Sequence, residues 1–196
     1  ALVPQSVAYL DPLMRVGAQV DGDIKPKPVD RRSRLFERFG LPQHTGKLYP
    51  FQLSGGMARR VLVSTALITE AELIIADEPT PGMSLEQALE ALRMFRELAD
   101  EGRAVILITH DIDLAFEFAD RVAVFYAGTT VETAPAADFK TGPEALRHPY
   151  SKALWRALPQ NGFEPISGFQ PYAGNLPEGC LFAPRCPYRT HECVRQ

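Results

Sequence analysis

The chain has few of the features that mark membrane-spanning or secreted proteins. No apolar run approaches the roughly 18 residues that a helix needs to cross a bilayer, and the first residues lack the basic and apolar segments of a signal peptide. Its three cysteines all follow residue 179, which does not fit a disulfide scaffold. We therefore expect a cytoplasmic chain, with any membrane-spanning part supplied by other subunits.

Excess positive charge is also missing. The 21 lysines and arginines are outnumbered by 24 aspartates and glutamates, which gives a net charge of −3. Nothing in this balance indicates a nucleic-acid partner. With 196 residues, of which 45% are hydrophobic, the composition is typical of a soluble protein with one or two compact units.

The middle of the sequence predicts an α/β fold. Apolar strands are predicted over 73–76, 104–108 and 122–126, and helices begin after Ser54 and Ser84. Strands that are apolar on both faces and separated by helices favour a parallel sheet covered on both sides. In such folds the functional side chains lie at the carboxyl ends of the strands. The sequence after about residue 159 is rich in Pro and Gly and predicts an irregular extension.

Three short motifs lie at these strand ends and helix starts. Residues 53–57 read Leu-Ser-Gly-Gly-Met, Asp77 and Glu78 end the first strand, and His110 follows the second. Nucleotide hydrolysis needs one carboxylate to hold Mg²⁺ and another to orient or deprotonate the attacking water. A Gly-rich helix start lets backbone N–H groups approach a phosphate. Each motif alone has a plainer interpretation, as exposed acids, a structural histidine or a simple helix cap.

Together, the order and spacing of these motifs resemble the signature motif, the Walker B motif and the switch histidine of ABC-type ATPases. The resemblance implies a P-loop NTPase-like parallel sheet with flanking helices, a small helical subdomain and an irregular C-terminal extension. It also implies ATP and magnesium as cofactors.

The resemblance assigns roles to individual residues. Glu78 is expected to act as the catalytic base, Asp77 to hold magnesium, and His110 to contact the γ-phosphate. Gln5 resembles the Q-loop glutamine, which touches the Mg²⁺ and its water and couples them to the helical subdomain. The signature residues expected to bind the ATP held by a partner subunit are Ser54, Gly55 and Gly56.

Some family features are missing or altered. No Gly-x-x-x-x-Gly-Lys-Ser/Thr sequence, the Walker A loop, occurs in these residues. In this family it precedes the Q-loop, so we expect an N-terminal truncation and poor ATP binding by this fragment alone. Ser84 stands where the D-loop usually has an aspartate, which would make this the weaker of two ATP sites. Met57 replaces the common glutamine, as it does in peptide and nickel importers.

The C-terminal part resembles the oligopeptide, dipeptide and nickel importer branch of the family. The resemblance rests on His148-Pro149-Tyr150 and on residues 176–186. Some members of the branch carry a [4Fe–4S] cluster there, with His191 or a later cysteine as a possible fourth ligand in this chain. The possible iron–sulfur ligands are Cys180, Cys186 and Cys193. Zinc, or three free thiols in a Pro-rich tail, are the alternatives.

We expect three functional regions: residues 1–70 with the Q-loop, helical subdomain and signature helix, 71–140 with the catalytic core, and 141–196 with the importer-type extension. The predicted function is ATP hydrolysis in a peptide or nickel importer. The implied partners are a second ATPase subunit, identical or different, two membrane permeases and indirectly a solute-binding protein, at the cytoplasmic face of the membrane. The alternatives are a non-catalytic docking half of such a complex and a soluble ABC ATPase without a transport role.

Overall fold

The computed structural model describes residues 1–22, 24 and 29–194 and divides the chain into two compact units. Unit 1 is Ala1–Leu114 and unit 2 is Ala115–Gln196. This division reflects packing and does not test where functional regions begin and end. The three functional regions expected from the sequence therefore remain a prediction.

Unit 1 combines a sheet with helices. Its strands are β1 (Leu2–Val3), β2 (Leu73–Asp77) and β3 (Ala104–Ile108). Its helices are α1 (Val16–Asp21), α2 (Val29–Arg38), α3 (Gly55–Leu67) and α4 (Leu85–Asp100), and α5 (Ile112–Phe118) contains the boundary between the units. In the described ranges, no helix is both long and apolar enough to cross a membrane.

The sheet of unit 1 is parallel, with the strand order β1-β2-β3. Val3 of β1 pairs with Ala76 of β2, and Asp77 of β2 pairs with Ile108 of β3. Parallel strands need a crossover connection, which α4 supplies between β2 and β3. The predicted α/β fold with a parallel sheet is confirmed. The residues that follow these strands therefore meet at one edge of the sheet.

One face of this sheet is buried and the other is largely open. Val3, Ile74 and Ala76, which lie on one face, are fully buried, and α3 contacts β1 while α4 contacts β3. On the opposite face, Ile106 and Ile108 are 49% and 50% exposed. The prediction that helices cover both faces is therefore wrong for the described part of unit 1. An apolar run does not tell how many of its two faces have a covering helix.

Local capping starts the helices near the strand ends. The hydroxyl of Ser54 accepts a hydrogen bond from the Met57 N–H at 3.3 Å, and α3 begins at Gly55, directly after Ser54. Ser84 and Gln87 form the predicted capping box, in which each side chain accepts from the other residue's backbone N–H. Such a cap contributes about 1 kcal/mol to stability.

Unit 2 is built on an antiparallel hairpin. Strand β4 (Arg121–Tyr126) pairs with β5 (Thr129–Pro135), and helices α6 (Ala136–Thr141) and α7 (Pro149–Arg156) follow. Short 3₁₀ turns lie at Pro143–Ala145, Pro159–Asn161, Ala183–Arg185 and Glu192–Val194. The described residues after 161 otherwise form no helix or strand, in agreement with the predicted irregular extension.

The structure corrects the prediction for residues 122–126. The segment is a strand, but in the described residues it pairs with β5 in a separate sheet rather than with the parallel strands. The connection is the two-residue turn Ala127-Gly128, whose φ angles are 49° and 85°. Two positive φ angles suit a hairpin, because their twist matches that of the strands. Alanine rarely adopts this conformation, so the sequence signal for the turn is weak.

The irregular tail is held to the hairpin by aromatic packing. The ring of Tyr126 lies 4.5 Å from that of Tyr150 and 5.4 Å from that of Phe182. Arg185 lies over the Tyr126 ring at 5.8 Å and donates to the Ile166 carbonyl at 2.9 Å. Phe182 is 1% exposed. Ring contacts of this kind stabilise the packing beyond what the burial of Phe182 contributes. The tail is therefore anchored within unit 2 despite its lack of regular structure.

Candidate functional site

Glu78 has an unusual backbone conformation directly after β2. Its φ is 46°, in the left-handed region that residues with a side chain rarely adopt. Its N–H donates to the Ile108 carbonyl at 2.9 Å, which ties this turn to the end of β3. A left-handed residue other than glycine costs on the order of 1 kcal/mol or more, and such strain clusters at functional sites.

The side chain of Glu78 turns toward His110. The backbone N–H of His110 donates to Glu78 Oε1 at 3.0 Å, and the ring Nδ1 lies 2.7 Å from the same oxygen. This hydrogen bond and the negative charge of Glu78 raise the pKa of His110 above its ordinary value. The His110 side chain is 82% exposed and that of Glu78 only 14%. The structure thus brings together the two residues that the sequence predicted as base and switch histidine.

The second carboxylate oxygen of Glu78, Oε2, makes no hydrogen bond to a described residue. Oε2 is also buried. Buried carboxylate oxygens normally accept hydrogen bonds, because an unpartnered one is costly. A general base must offer such an oxygen to the proton that it removes. Oε2 is therefore the oxygen of Glu78 whose hydrogen-bonding capacity is unused among the described residues, while Oε1 holds the contact with His110.

Asp77 and Gln5 lie at the same edge of the sheet as Glu78. Asp77 is the last residue of β2 and is half-buried. Gln5 is exposed and follows shortly after β1, whose Val3 pairs with Ala76. Mg²⁺ prefers oxygen ligands and is commonly bound by one or two carboxylates together with phosphates. The oxygen donors at this edge therefore fit a magnesium nucleotide.

The predicted signature residues form the start of α3. Ser54 and Gly55 are exposed, and the Ser54 hydroxyl is used as the helix cap. A Cβ added to Gly56 would lie 3.0 Å from the Gly82 carbonyl oxygen, so the missing side chain lets two backbone segments come close. Within the described ranges, no hydrogen bond joins this helix start to the Glu78–His110 pair. A helix start of this kind can bind an anion through its backbone N–H groups independently of that pair.

Sequence reasoning missed Arg59, which holds the Q-loop segment in place. Arg59 lies on α3 and is 8% exposed. Its guanidinium donates to the carbonyls of Pro4, at 3.2 Å, and of Gln5. The sequence shows two arginines within an otherwise small and apolar stretch of α3, which is the one signal that a guanidinium could be buried there.

Sequence reasoning also missed Glu132 in unit 2, which explains the His-Pro-Tyr segment. Its carboxylate oxygens accept hydrogen bonds from the backbone N–H groups of Arg147 at 2.8 Å and His148 at 2.9 Å. His148 Nδ1 accepts from the Tyr150 N–H at 3.1 Å, and Pro149 fills the first position of α7. Proline suits that position because no N–H is needed there. The motif is thus the N-terminus of a helix, with a carboxylate placed against it.

This second Glu–His pair has pKa shifts of its own. Burial acts to raise the pKa of Glu132, but the nearby Ser151 hydroxyl and the backbone N–H groups of Arg147 and His148 lower it below its ordinary value. Burial lowers the pKa of His148, and the charge of Glu132 only partly opposes the shift. The lowered pKa favours the neutral imidazole, as the role of His148 as a hydrogen-bond acceptor requires.

The cysteines of the tail do not form a ready metal site. Cys180, Cys186 and Cys193 are free thiols of intermediate burial. The N–H of Cys180 donates to the carbonyl of Cys193 at 2.9 Å, so the two ends of this segment touch through their backbones. Across residues 1–22, 24 and 29–194, no three side chains of His, Cys, Asp or Glu are grouped to hold a metal ion.

Two family models match the chain. The ABC transporter family matches residues 1–81, and the C-terminal region of the oligopeptide/dipeptide transporter family matches residues 131–193. The first match includes the Q-loop, signature and Walker B segments, and the second includes the His-Pro-Tyr segment and the cysteines. Both parts of the resemblance inferred from the sequence are therefore confirmed.

Several curated relatives are ATP-binding proteins of peptide transport systems. The dipeptide transport ATP-binding protein DppD of Haemophilus influenzae is 37% identical, with 94% of this chain and 59% of that protein aligned. DppD of Escherichia coli K12 is 38% identical over 94% of this chain and 60% of that protein. The peptide transport system ATP-binding protein SapD of Salmonella typhimurium is 34% identical over 97% and 63%. The chain spans about three fifths of the length of these relatives.

Solved structures agree on the fold. The ATP-binding subunit of an ABC transporter superposes with a TM-score of 0.65 at 21% identity, over 72% of this chain and 60% of that one. A dimeric ATP-binding cassette in a post-hydrolysis state, bound to ADP and Pi, gives a TM-score of 0.61 at 23% identity, over 69% and 62%. At these identities the likeness establishes the α/β cassette fold.

Proposed function

We propose that the chain is an ATP-binding protein of the ABC transporter family and that it hydrolyses ATP as a subunit of a peptide importer. The match to the oligopeptide/dipeptide transporter region and the names of the DppD and SapD relatives support peptides as the solute. Nickel, which the sequence resemblance also implied, is the second candidate and has no support from these relatives.

The strand ends of unit 1 have the groups that hydrolysis needs. Bound Mg²⁺-ATP supplies the phosphoryl group that is transferred to water. In our proposal, Asp77 holds the metal, Gln5 contacts it from the neighbouring strand end, and His110 contacts the γ-phosphate with its exposed ring. Glu78 takes the proton of the attacking water at Oε2 while Oε1 stays bonded to His110. The residues proposed to bind the phosphates of ATP held by a second ATPase subunit are Ser54, Gly55 and Gly56.

The conformation of Glu78 is the observation that supports this proposal most directly. A strained backbone holds its carboxylate with one oxygen bonded to His110 and the other buried and free. A purely structural glutamate would gain nothing from this conformation, because strain and an unpartnered oxygen both reduce stability.

The proposed role in an importer implies partner subunits. We propose a second ATPase subunit, identical or different, two membrane permeases and indirectly a solute-binding protein, with this chain at the cytoplasmic face of the membrane. The relatives' names as transport ATP-binding proteins support this assembly. The acidic net charge of −3 gives no support to a nucleic-acid partner.

The iron–sulfur cluster that the sequence resemblance implied is tested by the thiols of the tail. The thiols of Cys180, Cys186 and Cys193 have the right chemistry for iron. Their arrangement does not fit, because no three metal-binding side chains converge in the described residues. No catalytic step is assigned to such a group. Iron and acid-labile sulfide analysis of the purified protein decides between a cluster and free thiols.

Uptake by the reconstituted complex tests the function. The full-length protein and its permeases are placed in vesicles with labelled dipeptide on one side and ATP on the side of the ATPase. We expect uptake that needs ATP hydrolysis and that excess nickel does not inhibit. Uptake of nickel instead would change the solute, and hydrolysis without any permease association would favour the soluble ATPase.

The non-catalytic alternative has its own outcome in the same assay. If the full-length protein co-purifies with permeases but the complex shows no hydrolysis, the docking role is correct and the proposed activity is not. The related proposal of a weaker ATP site depends on Ser84. Ser84→Asp keeps a residue that can cap α4, and it is expected to raise turnover if the D-loop charge is what this subunit lacks. Unchanged turnover would remove that proposal.

A further inference from the structure

One buried guanidinium connects segments that the proposed function uses. Arg59 is 8% exposed and lies near the start of α3. Its Nη1 donates to the Pro4 carbonyl at 3.2 Å, and its Nη2 donates to the Gln5 carbonyl. Because the guanidinium is planar, two fixed acceptors determine its orientation. Arg59 therefore attaches the beginning of the Q-loop segment to the helix that carries the signature motif.

The guanidinium has few other polar partners. Its Nε is buried and has no hydrogen-bond partner among the described residues. Burial of a charged group is costly unless its donors are used. The bonds to the Pro4 and Gln5 carbonyls therefore account for the place of this guanidinium in the fold.

We propose that Arg59 is a positioning residue, which keeps the Q-loop backbone in a fixed relation to α3. It does not contact the nucleotide in this proposal, and its catalytic consequence rests on the proposed function. When the start of α3 moves, for example on contact with nucleotide held by a second subunit, the guanidinium transmits the movement to the backbone of Gln5. The signature helix and the Q-loop segment are then linked by a single side chain.

Arg60 provides a matched control. It is the next residue of α3, it is 9% exposed, and its guanidinium also donates to two backbone carbonyls, those of Phe39 at 2.6 Å and Gly56 at 3.1 Å. Burial lowers the pKa of both guanidinium groups. Arg60→Gln thus removes an equally buried guanidinium while leaving the bonds to the Q-loop segment intact.

Amide hydrogen exchange in the full-length protein tests the anchoring without any nucleotide. The Leu10 N–H, which donates to the Val7 carbonyl at 3.0 Å, reports on the Q-loop segment. We expect Arg59→Gln to accelerate exchange at Leu10 by about tenfold, and Arg60→Gln to change it by less than about twofold. Equal acceleration in the two variants, or none in Arg59→Gln, overturns the proposal, since either result makes Arg59 an ordinary buried side chain.

ATP turnover of the assembled complex tests the catalytic consequence. Arg59→Gln is expected to lower kcat by about tenfold to a hundredfold, with the KM for ATP within about threefold of the unmodified protein. Arg59→Lys should recover part of the loss, because it keeps the charge but cannot bind both carbonyls. Arg103→Gln is the activity control, since its guanidinium donates to the Thr69 carbonyl, away from these segments.

The outcomes separate this proposal from the proposed function. Faster exchange at Leu10 with unchanged kcat overturns the positioning role in catalysis. If the unmodified complex does not hydrolyse ATP, the proposed function fails, and the exchange experiment alone decides whether Arg59 anchors the Q-loop segment.

Discussion

Each unit of this chain places one glutamate beside one histidine, and the two pairs are bonded in different ways. In unit 1, Glu78 bonds His110 with one oxygen and keeps the other buried and free. In unit 2, Glu132 uses its oxygens for two backbone N–H groups, and His148 accepts a hydrogen bond as the cap of α7. The first histidine has a raised pKa and the second a lowered one.

The comparison shows what separates a reactive carboxylate from a structural one. Both glutamates lie beside a histidine, so proximity alone does not distinguish them. Glu132 has an ordinary strand conformation and accepts hydrogen bonds at both oxygens, which is typical of a group that stabilises a fold. Glu78 has a left-handed backbone and one free oxygen, which is typical of a group held ready for chemistry.

The largest expected effect comes from removing the free carboxylate. Glu78→Gln in the full-length complex should lower ATP turnover by about 100-fold to 10,000-fold, because an amide cannot take the proton from water. Glu132→Gln makes the same chemical change in unit 2 and should leave turnover within about threefold. A similar loss in both variants would show that the difference in bonding has no catalytic meaning. Steady-state phosphate release measures both.

A second effect is on the stability of unit 2. Glu132→Ala removes the charged acceptor of the Arg147 and His148 N–H groups and should lower the free energy of unfolding by about 2 kcal/mol. Urea unfolding followed by the fluorescence of Trp155, the one tryptophan of the chain, measures the change. Glu78→Gln should shift this transition by less than about 0.5 kcal/mol. A larger loss at Glu78 than at Glu132 would reverse the comparison.

A third, smaller effect separates the two histidines. His148→Ala removes the cap of α7 and should cost about 1 kcal/mol, whereas His148→Asn should restore most of it, because asparagine is a good cap. His110→Ala should leave the unfolding transition nearly unchanged, since its side chain is 82% exposed. If both alanine variants were equally stable, the helix cap would not be the role of His148.

The smallest effect is on the pH dependence of stability, to which the two histidines contribute with opposite signs. Because the pKa of folded His110 is raised, its ion pair with Glu78 stabilises the fold below the ordinary pKa of about 6.5 and is lost as pH rises through the raised value. Because the pKa of folded His148 is lowered, its contribution is complete above about 6.5 and is lost as pH falls toward the lowered value.

NMR titration of the two imidazoles checks these directions. We expect His110 to titrate at higher pH than His148. Glu78→Gln should bring the pKa of His110 back toward its ordinary value, and Glu132→Gln should lower the pKa of His148 further, since the charge of Glu132 opposes the effect of burial. The same pKa for both histidines would contradict the assigned contacts.

Much of unit 1 was predictable because its signals are local. The helix starts at Ser54 and Ser84 and the strand at 104–108 follow from capping residues and apolar runs within a few positions. Glu78 and His110 were predicted as site residues from their positions at strand ends. Their direct hydrogen bond follows from the β2–β3 register, which pairs Asp77 with Ile108.

What the sequence did not reveal depends on distant partners. Strand β1 has two residues and becomes a strand by pairing with β2. The hairpin of unit 2 depends on the positive φ of Ala127, and an alanine in the sequence does not predict a positive φ. Glu132 looks like an ordinary surface charge in the sequence, and Arg59 is marked only by its small and apolar neighbours in α3. Their roles come from backbone carbonyl and N–H groups that other segments supply. Charged residues that serve the backbone leave no periodic pattern.

The short pairing of β1 has a consequence for the order of folding. The β2–α4–β3 unit joins Ile75 to Ile106 across one helix, whereas β1 joins Leu2 to the same Ile75 across most of unit 1. Closing the longer loop costs more chain entropy, and contacts of high sequence separation form late. We therefore expect the edge that carries Glu78 to assemble first and Gln5 to reach it last. Substitutions that weaken β1 should then speed unfolding more than they slow folding.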